Sequence, residues 1–518
     1  YFWDQEQPST VWGQWGYGTE FTKRHPVDGI DQRLTNSRYG PWVDEDEVYR
    51  LSGQADHSKP GHKPLAACRS HGAHVADLAC NRPGPGTPPT PPAPCARPVI
   101  AVQLPVVTVA DTSGATLEPQ IYNGLCYILH RAQDIASQCG MASLPVVVNV
   151  SYGLIAGPHD GSGVLEAAID KLLIEHNSAS SPARLVLPAG NNFLSRCHAQ
   201  FTVPANGLHE LLWRVLPDDW TESSVDIWFP AAANVNSLSV LITAPDGSTG
   251  TGPFTVNGTC WFPVTGTPVG QASFQAVGST TLRARITLWL APTADPEGKL
   301  LLAQAGLWRI QVDNRAGAAA IQDIEAWIQR DDTAPGYLRR GRQSYFDDAA
   351  YKRHDDGGRA IDVDNAASYV KRDGTLNAIA TGTQPVVVGG FRRSDGAPAP
   401  YSASGPLPPP GRGAPNAYGP DAMLPSDDSP SHRGVLGAGT RSNSCVALQG
   451  TSVAAPQAAV ALAEWLATGS SGTRSAVFQA AKVQEATPPP LPVPKPKPKR
   501  GGGGRIRTFS NRPPRREP

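Results

Sequence analysis

The chain has 518 residues, with 45 Lys and Arg against 45 Asp and Glu, so its formal net charge is zero. That length allows two or three domains with real cores, and the balanced charge gives no steering toward nucleic acid or an anionic membrane. No run of 18 or more apolar residues occurs, which excludes a membrane-spanning helix; the 52 Gly and 51 Pro point to many turns and some unstructured connectors.

Eight cysteines are scattered and form no Cys-x-x-Cys pair, so buried free thiols are expected rather than a zinc ribbon or a disulfide framework. The chain starts at Tyr1-Phe2-Trp3-Asp4, with no initiator Met and no signal-like stretch. This reads as the middle of a domain, so a preceding segment is expected and secreted and cytoplasmic addresses both stay open.

Residues 1–60 are polar, dotted with aromatics and without clear periodicity. Ser70-His71-Gly72-Ala73-His74-Val75-Ala76-Asp77-Leu78-Ala79 reads as a helix start, with Ser70 as N-cap and Val75, Leu78 and Ala79 on one face. His71 and His74, with His62, could be metal ligands, but no carboxylate or Cys completes a recognisable spacing, so no metal site is assigned. After a Pro-rich loop over 81–98, Val99 to Leu104 reads as a short buried strand and 118–137 as a helix. Pro145 to Val150 is a β-branched strand that ends in the small turn Ser151-Tyr152-Gly153. A helix over Val164 to Glu175 follows, then a strand over Arg184 to Leu187, then Ala189-Gly190-Asn191.

This alternation predicts an α/β chain with a doubly wound, mostly parallel sheet. Ligands of such sheets bind at the carboxyl ends of the strands, where Ser151, Tyr152, Gly153, Ala189, Gly190 and Asn191 fall. From residue 198 short alternating strands take over and hold seven of the twelve Trp, which predicts an inserted all-β sandwich or jelly roll. Its tryptophans read first as core and cross-strand aromatics. A charged stretch follows, then the strand Pro385 to Gly390. The tail from Lys495 carries nine basic residues and one acidic one and cannot bury a core. It has no aromatic stacking pattern, so nucleic acid is not assigned as a partner.

The most informative string is Gly450-Thr451-Ser452-Val453-Ala454-Ala455-Pro456, a small-residue turn before an apolar helix over Gln457 to Leu466. Unpaired N–H groups at a helix start stabilise an oxygen placed there and negative charge forming beside it. A capped, Ala-rich core helix is the plain alternative. The whole string resembles the nucleophile motif of subtilisin-like serine proteases, the subtilases. His71-Gly72-Ala73-His74-Val75 resembles their histidine motif, with Ala73 in place of the usual Thr. Asn149 to Gly153 looks like their pocket-wall segment, Ala189-Gly190-Asn191 like their oxyanion segment, and Ser402 to Pro406 like the turn before their serine.

The resemblance covers about 1–197 and 375–485. It implies a catalytic domain in those two parts; the residue pattern between and after them gives a β-sandwich over 198–332, a connector over 333–374 and a disordered tail over 486–518. The resemblance also implies a serine endopeptidase acting on proteins or peptides. Ser452 would be the nucleophile, His71 the general base and Asn191 the oxyanion-hole amide; Ser151, Tyr152, Gly153, Ala189 and Gly190 would bind substrate. No cofactor is required; structural calcium is common in the family, but no ligand loop can be located here. The family's orienting Asp has no good match. Asp28, Asp31 and Asp44 are poorly placed, so that Asp is expected upstream of Tyr1, and its loss would cost ~3 × 10⁴ in kcat. Two rivals remain: a catalytically impaired scaffold that binds through its β insert, and an α/β-hydrolase. The second would want Gly-x-Ser-x-Gly and a His after the Ser. Oligomeric state is not encoded.

Overall fold

The structure is a computed structural model that describes residues 70–80, 98–105, 108, 116–178, 181–231, 233–262, 268–277, 283–332, 340–406, 418–441, 444–486 and 504–505. Asp28, Asp31, Asp44, His62, most of the Pro-rich loop and nearly all of the basic tail lie outside them.

In chain order the elements are α1 (His71–Ala79), α2 (Leu117–Gln138), β1 (Val146–Asn149), α3 (Val164–Glu175), β2 (Ala183–Pro188), β3 (His198–Val203), β4 (Leu208–Val215), β5 (Ser223–Trp228), β6 (Ser239–Thr243), β7 (Thr259–Phe262), β8 (Gly270–Val277), β9 (Arg283–Leu290), β10 (Gly306–Asp313), β11 (Ile321–Ile328), β12 (Tyr345–Phe346), β13 (Val370–Lys371), β14 (Val386–Arg392), β15 (Gly405–Pro406), β16 (Tyr418–Gly419), β17 (Ala422–Asp427), β18 (Val435–Ala438), β19 (Cys445–Leu448), α4 (Thr451–Ala467), α5 (Arg474–Ala486) and β20 (Gly504–Arg505).

Five strands pair in parallel in the order β1-β2-β14-β17-β20. Successive strand residues face opposite sides, and β2 shows it: Leu185 and Leu187 join a core with α2 and α3, whereas Val186 joins a core with α4. With both faces covered, all six residues of β2 are buried. Strand carboxyl ends and the start of α4 meet on one side of this sheet.

The other strands are antiparallel. A four-stranded sheet runs β12-β4-β10-β6 and a seven-stranded sheet runs β13-β3-β11-β5-β9-β8-β7. Their inner residues share one apolar core that includes the fully buried Trp213, Trp308 and Trp327. Truncating any one of these to Ala costs about 3–5 kcal/mol. The core reaches back to the parallel sheet through the loop after β1: Arg283 donates to the Pro158 carbonyl at 3.0 Å and to Asp160 at 2.7 Å, and Gln329 Oε1 accepts from the Ile155 and Ala156 amides at 3.0 and 3.3 Å.

The predicted fold class needs correction. Among the described residues five α-helices stand beside twenty strands, fifteen of them in antiparallel sheets, so the chain is mostly β rather than a doubly wound α/β chain with an insert. Double winding needs a helix in each crossover. The β1–β2 crossover has α3, and α4 and α5 lie between β17 and β20. In contrast β2 reaches β14 through both antiparallel sheets, and β14 reaches β17 through the β15–β16 hairpin. The strand–helix alternation of residues 118–192 is therefore local.

Three smaller expectations also change. Val99 to Leu104 is no strand; Val99 is 54% exposed, while Leu104 packs on the α2–α3 core. The stretch read as a connector contributes β12 and β13 to the antiparallel sheets. Of the six described free thiols, Cys197 and Cys260 are buried, but Cys80, Cys139 and Cys445 are exposed.

Candidate active site

The helix carrying Ser452 begins at Thr451, six residues before the expected start, so Ser452 lies in its first turn. Gly450 caps it at φ +136, a region that favours glycine. A β-carbon there would sit 3.1 Å from Ser452 Oγ and 3.2 Å from Asn191 Nδ2. Both groups therefore face one small space, which only glycine leaves open.

Asn191 follows β2. Its Oδ1 accepts from the Thr451 amide at 2.9 Å and from the Thr451 hydroxyl at 3.1 Å. Two donors on that oxygen fix which way the amide points, with the NH₂ toward the space beside Gly450. Gly190, at φ +108, donates its N–H to Thr451 Oγ1 at 3.1 Å. Ala189 is fully buried; its N–H goes to the Val388 carbonyl at 2.8 Å, and its carbonyl takes the Asn377 N–H at 2.7 Å.

Pro456 stands inside α4. A regular helix would use the N–H of residue 456 to satisfy the carbonyl of residue 452, and proline has none. The Ser151 hydroxyl supplies that bond instead, donating to the Ser452 carbonyl at 2.8 Å, while Asn149 Nδ2 donates to Ser151 Oγ at 3.0 Å. Tyr152 and Gly153 continue this loop. Any side chain on Gly153 would overlap the Asn377 amide, whose nitrogen lies 2.0 Å from the position of a β-carbon.

His71 comes from α1. Ser70 caps that helix by accepting the Ala73 amide at 3.2 Å, as expected from the sequence. His71 Nε2 lies 2.9 Å from Ser452 Oγ, across 381 residues of sequence. Its pKa is lowered to about 4, first by burial, then by the positive charge of Arg330, then by His74. Among the described residues no carboxylate pairs with this ring. His74 is fully buried and packed, with Nε2 against the Val435 carbonyl at 2.8 Å; that acceptor puts the proton on Nε2. Asp77 accepts the Ala438 amide at 3.0 Å, and Leu78 packs with Val435, Leu448 and Val453.

Ser452, His71 and Asn191 are thus brought together, with Ser151 beneath the serine and Gly190 beside it. Three supporting residues were not singled out from sequence. Asn377 clamps two site loops: Oδ1 accepts the Leu154 amide at 2.9 Å, and Nδ2 donates to the carbonyls of Tyr152 at 3.1 Å and Pro188 at 3.4 Å. Tyr401 accepts the Gly450 amide at 2.9 Å and reaches Asp427 at 2.8 Å. Arg330 lies with its guanidinium 5.1 Å from the Tyr152 ring centre. No local signal marked these three; the proline inside α4 signals only the need for a donor to the Ser452 carbonyl, which Ser151 meets.

A serine hydroxyl on an imidazole nitrogen, beside a fixed amide and a helix start, can perform acyl transfer. Among the described residues no group of three or more His, Cys, Asp or Glu could hold a metal ion, and no helix is long and apolar enough to cross a membrane.

No family model matches the chain, and no curated protein matches it. Among solved structures it is similar to the Clostridium perfringens CspB protease, with a TM-score of 0.51 and 18% identity over 76% of this chain and 69% of that one. At that identity the likeness concerns the fold alone. The subtilase assignment drawn from the motifs is therefore withdrawn: no family model carries it, and the chain is mostly β. What remains is a distant structural likeness to a protease.

Proposed function

We propose that this chain is a serine peptidase in which Ser452 is the nucleophile and His71 the general base. The observation that carries the reading is the 2.9 Å contact between Ser452 Oγ and His71 Nε2. Ser452 Oγ attacks the scissile carbonyl carbon as its proton passes to His71 Nε2. The oxyanion takes hydrogen bonds from Asn191 Nδ2 and the Ser452 amide at the positive end of α4. The C–N bond then breaks as His71 protonates the leaving amine. Water repeats the sequence on the acyl group and releases the acid. Ser151, Tyr152, Gly153, Ala189 and Gly190 border the peptide. The test is a fluorophosphonate probe on the full chain, with the adduct located by mass spectrometry. A single adduct on Ser452, lost in S452A, is expected; an unlabelled Ser452 would refute the reading.

A non-catalytic scaffold is the second reading. It draws on the lowered pKa of His71, which makes a weak base, and on the lack of a described carboxylate beside its ring. On that reading Ser452 stays unlabelled and peptides bind without being cut.

A further inference from the structure

Arg330 brings a guanidinium to the site from the end of β11. It follows β11 by two residues, and its position is fixed through its neighbour. Gln329 Oε1 accepts three amides, those of Ile155, Ala156 and Arg330 itself, at 3.0, 3.3 and 2.8 Å. This ties the end of β11 to the loop that carries Ser151 and Tyr152. The guanidinium then lies over the Tyr152 ring, 5.1 Å from its centre, within range of a cation–π attraction. It is close enough to His71 for its charge to act on that ring.

Its hydrogen-bonding capacity is only partly used. Nε is taken by Asp332, and among the described residues no acceptor takes either terminal nitrogen. The side chain keeps 23% of its surface exposed. Two acids stand beside it: Asp332 pairs with Nε, and the charge of Asp331 also acts on the guanidinium. Asp331 is buried and accepts the Thr221 hydroxyl at 2.6 Å, and Asp332 is 62% exposed. The loop residues around the serine, Ser151 to Gly153 and Ala189 to Asn191, carry no charge. A peptide side chain entering beside Tyr152 therefore meets a guanidinium held at Nε by Asp332, whose two terminal nitrogens take no acceptor among the described residues, a match for a carboxylate.

We propose that Arg330 and Tyr152 form a subsite that selects peptides with an acidic side chain flanking the cleaved bond. This rests on the peptidase reading and adds the substrate class. A carboxylate held by an Arg fork gains a charge-assisted bond that an amide of the same shape does not. A lysine side chain in the same place is repelled.

The test uses the full chain on a defined peptide library, with cleavage positions read by mass spectrometry, followed by matched fluorogenic peptides that differ only in Glu, Gln or Lys beside the bond. Glu is expected over Gln by roughly tenfold or more in kcat/KM, with Lys poorest. R330Q should bring Glu and Gln to parity, and R330E should favour Lys. Cleavage by the unmodified chain without acidic enrichment would overturn the subsite and leave the peptidase reading standing, even if neither variant folds. Enrichment that persists in folded R330Q would also overturn it. No cleavage and no fluorophosphonate adduct on Ser452 would overturn both.

Discussion

The two halves of the site are held very differently. The Ser452 half is anchored to the parallel sheet from several sides: Asn191 and Gly190 grip Thr451, Tyr401 takes the Gly450 amide, Ser151 takes the Ser452 carbonyl, and α4 packs on β1, β2, β14 and β17. The His71 half is one nine-residue helix resting on α4 and the two-stranded β18–β19 hairpin. Among the described residues two side-chain bonds, His74 to Val435 and Asp77 to Ala438, hold it there, with a small apolar cluster beneath. Among the described residues, fewer bonds fix the helix of the imidazole than fix the turn of the hydroxyl. Damage to the serine half should therefore act through missing chemistry or stability, and damage to the histidine half through misplacement.

The largest effect should come from removing either reacting group. Ser452→Ala should lower kcat by about 10⁶, and adding His71→Ala should lower it little further, because the pair acts as a unit. Independent, multiplying losses in single-turnover assays would show that the two side chains do not work together. Asn191→Ala comes next. It removes one oxyanion donor and should cost ~10²–10³ in kcat with KM nearly unchanged. A large KM change with normal kcat would assign Asn191 to substrate binding instead.

The histidine half is probed without touching the imidazole. A β-carbon on Gly437 would lie 2.7 Å from His74 Cδ2 and 2.8 Å from Nε2, closer than real contacts allow. Gly437→Ala should push His74 off the Val435 carbonyl and shift α1 with it. A misplacement near 1 Å can cost about 10² in rate, so kcat of the folded variant should fall by that order, beside a stability loss of about 1–3 kcal/mol from overpacking and the lost bond. A rate equal to the parent's would mean that the hairpin does not set the imidazole's position.

The pH profile reads the same half. The neutral imidazole is the form that accepts the serine proton, and its pKa is lowered to about 4. Activity should therefore rise with pH through about 4 and already be flat at 6.5, falling roughly tenfold per unit below the midpoint. Arg330→Gln removes a charge that lowers this pKa, so its acid limb should move to higher pH. A limb near 6.5 in the parent, or one unmoved in the variant, would contradict the environment described.

The sequence pointed to the three side chains that the structure brings together better than to the frame around them. His71, Asn191 and Ser452 stood out because each sits in a short local string; the N-cap at Ser70 followed from its residue type, and the strands read at 145–150 and 184–187 fall on β1 and β2. The mostly-β architecture did not follow, because strand–helix alternation over about seventy residues says nothing of how a later strand is reached. Asn377, Tyr401 and Arg330 stayed hidden for a related reason. Each acts on a segment far away in sequence, and no local pattern records which amide or ring it will meet.

Pro456 is the exception, because its meaning is local and testable. In α4 it deprives the Ser452 carbonyl of its helical donor, and Ser151 replaces that donor at 2.8 Å. Ser151→Ala should then leave an acceptor unpaired at the foot of the nucleophile, costing about 1–3 kcal/mol of stability. Pro456→Ala restores an N–H at the position the helix would use, so Ser151→Ala should cost about 1 kcal/mol less in that background. Urea unfolding of the two single variants and the double variant measures the coupling. A Ser151→Ala penalty equal in both backgrounds would mean that the hydroxyl stabilises the loop through Asn149 alone and does not serve the Ser452 carbonyl.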